Sequence, residues 1–366
     1  MKNKPQRILM TADTIGGVWT YALELTKALG EYGVEVAIAT MGAPLTSEQR
    51  HEVKQITNLT LFESNFKLEW MPNPWQDVQQ AGEWLLQLEA QLHPDIVHLN
   101  GYAHASLPWK TPKLIVAHSC VLSWWQAVKG EAAPSEWELY RHAVIQGLQA
   151  ADLVVAPSKA MLTALNQHYG VITNSQVILN GRDNKLFIPG EKSAFVLSVG
   201  RLWDEAKNVA ALEKIAPQLN CPIYVAGDTQ HPQGGNITTT QVNLLGRLSP
   251  QELAPWLTKA AIYALPARYE PFGLSVLEAG LAGCALVLGD IPSLRENWQD
   301  AAIFVHPDDL EALQAALNFL IANAVYRQNL AQKASDRALK FTSQSMAAKY
   351  LSAYSNLLQQ MTNVLY

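Results

Sequence analysis

The sequence predicts an α/β protein of two doubly wound domains, each a parallel sheet covered by helices on both faces. Three observations carry this prediction. The chain has 366 residues, 49% of them hydrophobic, enough for a packed core and long enough to favour two domains. Short apolar runs with no polar face alternate with longer segments of helical spacing, and strands apolar on both faces belong to parallel sheets buried between helices. The rhythm stops in a polar, turn-rich stretch and then restarts.

Arg7–Thr11 is the first expected strand, punctuated by Gly16-Gly17, and Val18–Tyr32 has helical spacing. Val34–Thr40 is the next strand, closed by Met41-Gly42, and further strands are expected at Ile96–Leu99, Lys113–Ala117 and Leu153–Ala156. Asn180-Gly181-Arg182-Asp183 and Pro189-Gly190 are turn signals that place the linker near residues 183–193. The second half repeats the pattern, with strands at Phe195–Val199, Pro222–Ala226, Ile262–Leu265 and Ala285–Leu288. Ser345 to Val364 reads as one amphipathic helix. The expected domains are residues 1–185 and 186–344. Ligands of such open sheets bind beyond the carboxyl ends of the strands, so the informative residues should follow the strands.

Charge and cysteine usage narrow the function classes. The net charge is −5, which disfavours nucleic acid as a partner. Up to residue 181 there are 12 Lys and Arg against 16 Asp and Glu, and beyond it 15 against 16. Neither half is basic enough to favour docking on an anionic membrane, although peripheral membrane contact stays open as a reading. Cys120, Cys221 and Cys284 are far apart and odd in number, without the spacing of a zinc site or a disulfide framework. The N-terminus lacks a signal-peptide core and no run is long enough to span a bilayer, so the expected location is the cytoplasm. There is no Asp-x-Asp sequence and no paired-histidine zinc motif, so no metal cofactor is expected.

The sharpest motif is Glu270-Pro-Phe-Gly-Leu-Ser-Val-Leu-Glu278. A strand ends at Pro266, a loop follows, and Gly273 opens a helix whose first N–H groups and dipole favour a phosphate or sugar hydroxyls. Glycine lets a ligand approach the backbone. Glu278, about a turn and a half into the helix, can accept hydrogen bonds from a diol, and Glu270 on the loop can do so for a second ring. A second motif, Gly200-Arg201 with Lys207-Asn208, follows a strand and offers a planar fork and a point charge to a diphosphate. Gly16-Gly17 allows a tight turn beside a ligand but is not the dinucleotide fingerprint, which disfavours a nicotinamide dehydrogenase. Each motif taken alone is also compatible with ordinary capped helices and solvated charges.

In order and spacing these motifs, together with Val154-Val155-Ala156-Pro157-Ser158 and Val177-Ile178-Leu179-Asn180-Gly181-Arg182-Asp183, resemble the family 4 glycosyltransferases of the GT-B fold. The resemblance runs over nearly the whole chain and is strongest in the second half. It implies two Rossmann-like domains facing a central cleft, with the C-terminal helix, 345–366, crossing back to the first domain. It implies transfer of a hexose from a nucleotide-sugar, UDP-linked before GDP-linked, with retention of configuration and without a metal. The expected route is front-face displacement, in which a phosphate oxygen of the departing diphosphate takes the acceptor's proton.

The resemblance also assigns roles. Arg201 and Lys207 would bind the donor diphosphate and stabilise its developing charge. Glu278 would hold the ribose, and Glu270 the sugar hydroxyls, with the backbone N–H groups of Phe272, Gly273 and Leu274. Gly16 and Gly17 would lie near the phosphate and the acceptor, and the base near Arg247 and Leu248. His118 matches a histidine beside the transferred sugar, whereas Asn100 stands where the family often has another histidine and receives no role. Eight of the eleven tryptophans precede residue 140, which concentrates aromatic surface in the expected acceptor domain. Trp19, Trp124 and Trp125 follow its candidate loops and are the expected contacts of a carbohydrate or small amphipathic acceptor. The competing readings are a GT-B sugar-nucleotide epimerase, which the Glu270–Glu278 spacing disfavours, and a non-catalytic nucleotide-sugar-binding protein, which the full set of charged residues disfavours.

Overall fold

A computed structural model describes residues 4–229 and 239–364. In the first half, β1 (Arg7–Asp13), β2 (Glu35–Met41), β3 (Leu59–Phe62), β4 (Ile96–Leu99), β5 (Lys113–Val116), β6 (Leu153–Ala156) and β7 (Ser175–Val177) form one sheet. Its order is β3-β2-β1-β4-β5-β6-β7, and every neighbouring pair is parallel. In the second half, β8 (Ser193–Val199), β9 (Ile223–Ala226), β10 (Asn243–Gly246), β11 (Ala260–Leu265), β12 (Ala285–Gly289) and β13 (Ala302–Val305) form another. Its order is β10-β9-β8-β11-β12-β13, again parallel throughout. Both sheets are doubly wound. The chain builds outward to one side and then reverses, between β1 and β4 in the first sheet and between β8 and β11 in the second, and such reversal points are where open sheets bind ligands.

The strands anticipated from the sequence are the interior ones. β4, β6, β11 and β12 are buried along their whole length, as strands covered on both faces must be. The four strands that the apolar-run criterion misses, β3, β7, β10 and β13, are the outermost strands of the two sheets. They are three or four residues long and mostly exposed or half-buried, so they carry no continuous apolar signal.

The chain divides into two compact units. The first comprises residues 1–126, 131–181 and 343–366, and the second residues 127–130 and 182–342. The first unit owes part of its core to the end of the chain. The helix Ser343–Val364 lays Met346, Tyr350, Leu351, Tyr354 and Leu357 into the same buried cluster as Trp19, Tyr21, Leu25 and Leu29 of the helix Gly17–Gly30 and Ile8 and Met10 of β1. The second unit has its own core, in which Val196, Ile262 and Val287 of the sheet pack with Leu212, Leu313 and Leu317 of the covering helices. Cys120, Cys221 and Cys284 are free thiols. Among the described residues no helix is long and apolar enough to cross a membrane.

Candidate functional site

In the second unit the charged residues singled out by sequence all follow carboxyl ends of strands, on both sides of the β8/β11 reversal. Gly200 and Arg201 follow β8, Arg247 and Leu248 follow β10, and the loop from Pro266 to Gly273 follows β11. Backbone contacts hold these loops together. Gly227, just after β9, donates its N–H to the carbonyl of Gly246 at 2.8 Å. A Cβ on Gly227 would lie 1.8 Å from the carbonyl oxygen of Gly200, so only glycine lets the β8 and β9 ends approach this closely.

Two residues 63 positions apart meet here. Lys207 Nζ lies 2.6 Å from Glu270 Oε2, with about 15% of each side chain exposed (16% and 14%). Glu270 Oε1 accepts from the N–H of Gly273 at 2.9 Å and from that of Phe272 at 3.5 Å. Gly273 has φ +89° and caps the helix Leu274–Leu281 without a side-chain bond of its own, so the Glu270 carboxylate answers the positive end of that helix. Two of the three N–H groups expected to face a ligand therefore have an acceptor within the protein. Ser293 donates its hydroxyl to the Glu270 carbonyl at 2.5 Å. Ser275 accepts from the buried Tyr263 hydroxyl at 2.7 Å, a side-chain partner that a proline there would not supply.

Arg201 is the more exposed cation. Its guanidinium lies 2.6 Å from Asp204 Oδ2 and stacks over Trp203 at 4.8 Å from the ring centre. Asn208, in the left-handed region at φ 55°, donates through Nδ2 to the carbonyls of Pro266 and Pro307, and Arg268 donates to its Oδ1. These bonds tie the Lys207 loop to the chain beyond β11. Arg247 is exposed and Leu248 half-buried.

Glu278 is paired differently from Glu270. Its Oε1 accepts from Arg182 Nε at 2.8 Å, and each side chain is about 9% exposed. Arg182 also packs against Phe187, 5.1 Å from its ring centre. Arg182 lies within the Val177–Asp183 motif, with no role assigned by its local pattern. The two residues are 96 positions apart, and nothing in local spacing connects them.

In the first unit, Gly16 and Gly17 lie exposed beyond β1 at the start of the helix Gly17–Gly30, and Gly16 has φ 84°. The preceding loop is pinned by Asp13 Oδ1, which accepts from the Ile15 N–H, and by Thr14 Oγ1, which donates to the Ala43 carbonyl. His118 follows β5. Its Nε2 lies 2.8 Å from Asn100 Oδ1, and its ring meets Tyr21 edge-on at 4.5 Å. Burial pulls the His118 imidazole down to about 3. His98 on β4 is fully buried between Tyr21 and Tyr354. Desolvation, with His118 nearby, draws it down to about 3 as well, so both rings are neutral at physiological pH.

The aromatic residues separate. Trp124 and Trp125 are half-buried, edge to face at 5.9 Å, on the helix Val121–Lys129. Trp19 corrects the sequence reading. It is only 5% exposed, belongs to the core, and donates its Nε1–H to Glu52 at 3.0 Å. Its position two residues beyond the glycine pair turns the indole into the helix packing. Among the described residues no group of three or more His, Cys, Asp or Glu side chains is placed to hold a metal ion.

Comparison with known proteins gives this arrangement a family. The model named Glycosyltransferase Family 4 matches residues 15–186, and the model named Glycosyl transferases group 1 matches residues 193–323. The alpha-maltose-1-phosphate synthase of Mycolicibacterium smegmatis is 28% identical over 261 residues, covering 60% of this chain and 66% of that protein, just under two thirds of its length. The D-inositol 3-phosphate glycosyltransferase of a Nocardioides species is 26% identical over 396 residues, covering 93% of this chain and 85% of that one. Among solved structures, sucrose-phosphate synthase from Thermosynechococcus elongatus superimposes with a TM-score of 0.80 at 19% identity, over 97% of this chain and 100% of the other. Anabaena HepE in complex with UDP-glucose gives 0.76 at 17% identity, over 96% and 99%. With two family models following one another along two doubly wound sheets, the chain belongs to the family 4 glycosyltransferases of the GT-B fold.

Proposed function

We propose that the protein transfers a hexose from a UDP-sugar to a carbohydrate or small amphipathic acceptor with retention of configuration. The observation that carries this reading is the meeting of Lys207 and Glu270 at the helix N-terminus beyond β11. It sets a cation and a carboxylate, the latter anchored by the Gly273 N–H, at one spot beside a reversal point where open sheets bind ligands. Arg201 and Lys207 take the diphosphate, Glu270 the sugar hydroxyls and Glu278 the ribose. His118 and the Trp124–Trp125 pair are assigned to the transferred sugar and the acceptor. The uridine preference draws on the solved Anabaena HepE complexes with UDP and glucose and with UDP-glucose.

The chemical step assigned to this site is electrostatic. As the sugar–phosphate bond breaks, negative charge gathers on the leaving diphosphate, and two fixed cations lower its energy without reorganising. A phosphate oxygen takes the acceptor's proton on the face from which the acceptor enters. This assignment needs no divalent cation, and turnover is expected to survive EDTA.

Thermal unfolding with UDP, GDP and ADP, in the wild type and in Lys207→Ala, tests the reading. UDP at 100 times its dissociation constant is expected to add about 2.7 kcal/mol, and the gain should vanish in Lys207→Ala. Turnover of that variant should fall on the order of 10²–10³-fold. Equal shifts in both proteins, with near-normal turnover, would remove Lys207 from the donor site. No shift from any nucleotide would count against the donor assignment as a whole.

A further inference from the structure

Asn100 follows β4 at the reversal point of the first sheet. Its surroundings leave its amide one orientation. The side chain faces the backbone carbonyl of Thr11 on one side, at 2.6 Å, and His118 Nε2 on the other, at 2.8 Å. A backbone carbonyl only accepts, so the NH2 group must face Thr11 and the carbonyl oxygen Oδ1 must face His118. The backbone is held too, since the Asn100 N–H donates to Thr11 Oγ1 at 2.9 Å.

An amide oxygen has no proton to give. The hydrogen bond at 2.8 Å therefore requires the proton to be on His118 Nε2. In a neutral imidazole the other nitrogen, Nδ1, then carries a lone pair. The edge contact with Tyr21 fixes the ring plane, and burial keeps the ring neutral. Among the described residues Nδ1 has no hydrogen-bond partner of its own.

We propose that Asn100 is a positioning residue that holds His118 as its Nε2–H tautomer and presents Nδ1 as a hydrogen-bond acceptor to a substrate hydroxyl. The second half of this statement rests on the assignment of His118 to the sugar, and the first half does not. The chemical class that such a nitrogen takes is a neutral hydroxyl donor. The opposite tautomer would present an N–H there and would select an acceptor atom such as a carbonyl or phosphate oxygen.

Long-range proton–nitrogen NMR of the full chain, labelled with 15N-histidine, reads the tautomer directly, with the His118 signals identified by their loss in His118→Gln. The expected pattern has a protonated Nε2 and a bare Nδ1. Asn100→Asp, which keeps an acceptor at the same place, should keep the proton on Nε2. Asn100→Leu, which removes the acceptor, should let the two tautomers mix. A protonated Nδ1 in the wild type, or a folded Asn100→Leu with an unchanged pattern, would overturn the proposal. For the substrate hydroxyl, Asn100→Leu and His118→Ala should each lower kcat/KM on the order of tenfold, the value of one hydrogen bond. The double variant should lose no more than either single one, whereas additive losses would sever His118 from Asn100. The NMR result stands without activity, so a correct tautomer in a protein that transfers no sugar would sink the proposed function and leave the tautomer intact.

Discussion

Arg182 and Glu278 form a buried ion pair, 2.8 Å apart and each about 9% exposed. Such a pair adds little over an apolar pair of the same shape, because both charges must be desolvated, but removing one partner takes a buried counter-charge away from the other. Arg182→Met is therefore expected to destabilise the second unit by roughly 3–5 kcal/mol. Arg182→Met with Glu278→Leu should recover most of that loss, as read by urea unfolding. A loss below about 1 kcal/mol in the single variant would fit an exposed pair and contradict the burial seen here. Glu278 matters for a second reason. The arginine bond at 2.8 Å also aims the carboxylate, as the proposed contact with a ribose requires. The sequence motif gives Glu270 and Glu278, eight residues apart, to two different rings, and each has a different cation, Lys207 for one and Arg182 for the other.

The strand ends in the second unit are set by glycines. Gly227 sits against Gly200, whose carbonyl oxygen would lie 1.8 Å from an added Cβ. Gly227→Ala must push the β9 end away from the loop that carries Arg201 and Lys207. The expected cost is about 1–3 kcal/mol of stability, the range for overpacking a close contact, together with a weakened response to UDP. A variant with the wild-type unfolding midpoint and nucleotide shift would show that the loop adapts without loss. Legibility at this scale follows burial. The interior strands could be found because both faces are covered and every residue is apolar, as in the fully buried β11 and β12. β3, β7, β10 and β13 escaped because each lies at a sheet edge, where half-exposed residues carry no such run. The β10 edge bears on the proposed donor site, since Arg247 and Leu248 follow it.

The first unit is completed by the end of the chain. The helix Ser343–Val364 supplies Met346, Ala347, Tyr350, Leu351, Ala353, Tyr354 and Leu357 to its core. Tyr354 also meets Nδ1 of His98 on β4 at 2.7 Å. Losing even one large core side chain costs about 2–5 kcal/mol, and a whole domain holds only about 5–15. A chain ending at Thr342 is therefore expected to lose cooperative folding of the first unit. Limited proteolysis should cut residues before 181 while sparing those from 182 onward. Equal resistance in both units would mean that the helix is an accessory to that core.

Periodicity and turn chemistry in the sequence determined the two α/β halves, the interior strands and the loops that follow them. Those features are local: an apolar run or a turn dipeptide reports the burial or dihedral angles of its own neighbourhood. The sequence could also say which residue types suit a diphosphate or a diol, but it could not tell a presented tryptophan from a packed one, as Trp19 shows. Only the tertiary structure decided the partnerships. Lys207 reaches Glu270 across 63 positions, Arg182 reaches Glu278 across 96, and His98 reaches Tyr354 across 256. Each depends on strand order and helix packing, which bring distant positions within hydrogen-bond reach and leave no trace in local spacing. Asn100 is the same case on a smaller scale: its role comes from the acceptor on one side and the imidazole on the other, set there by β1 and β5.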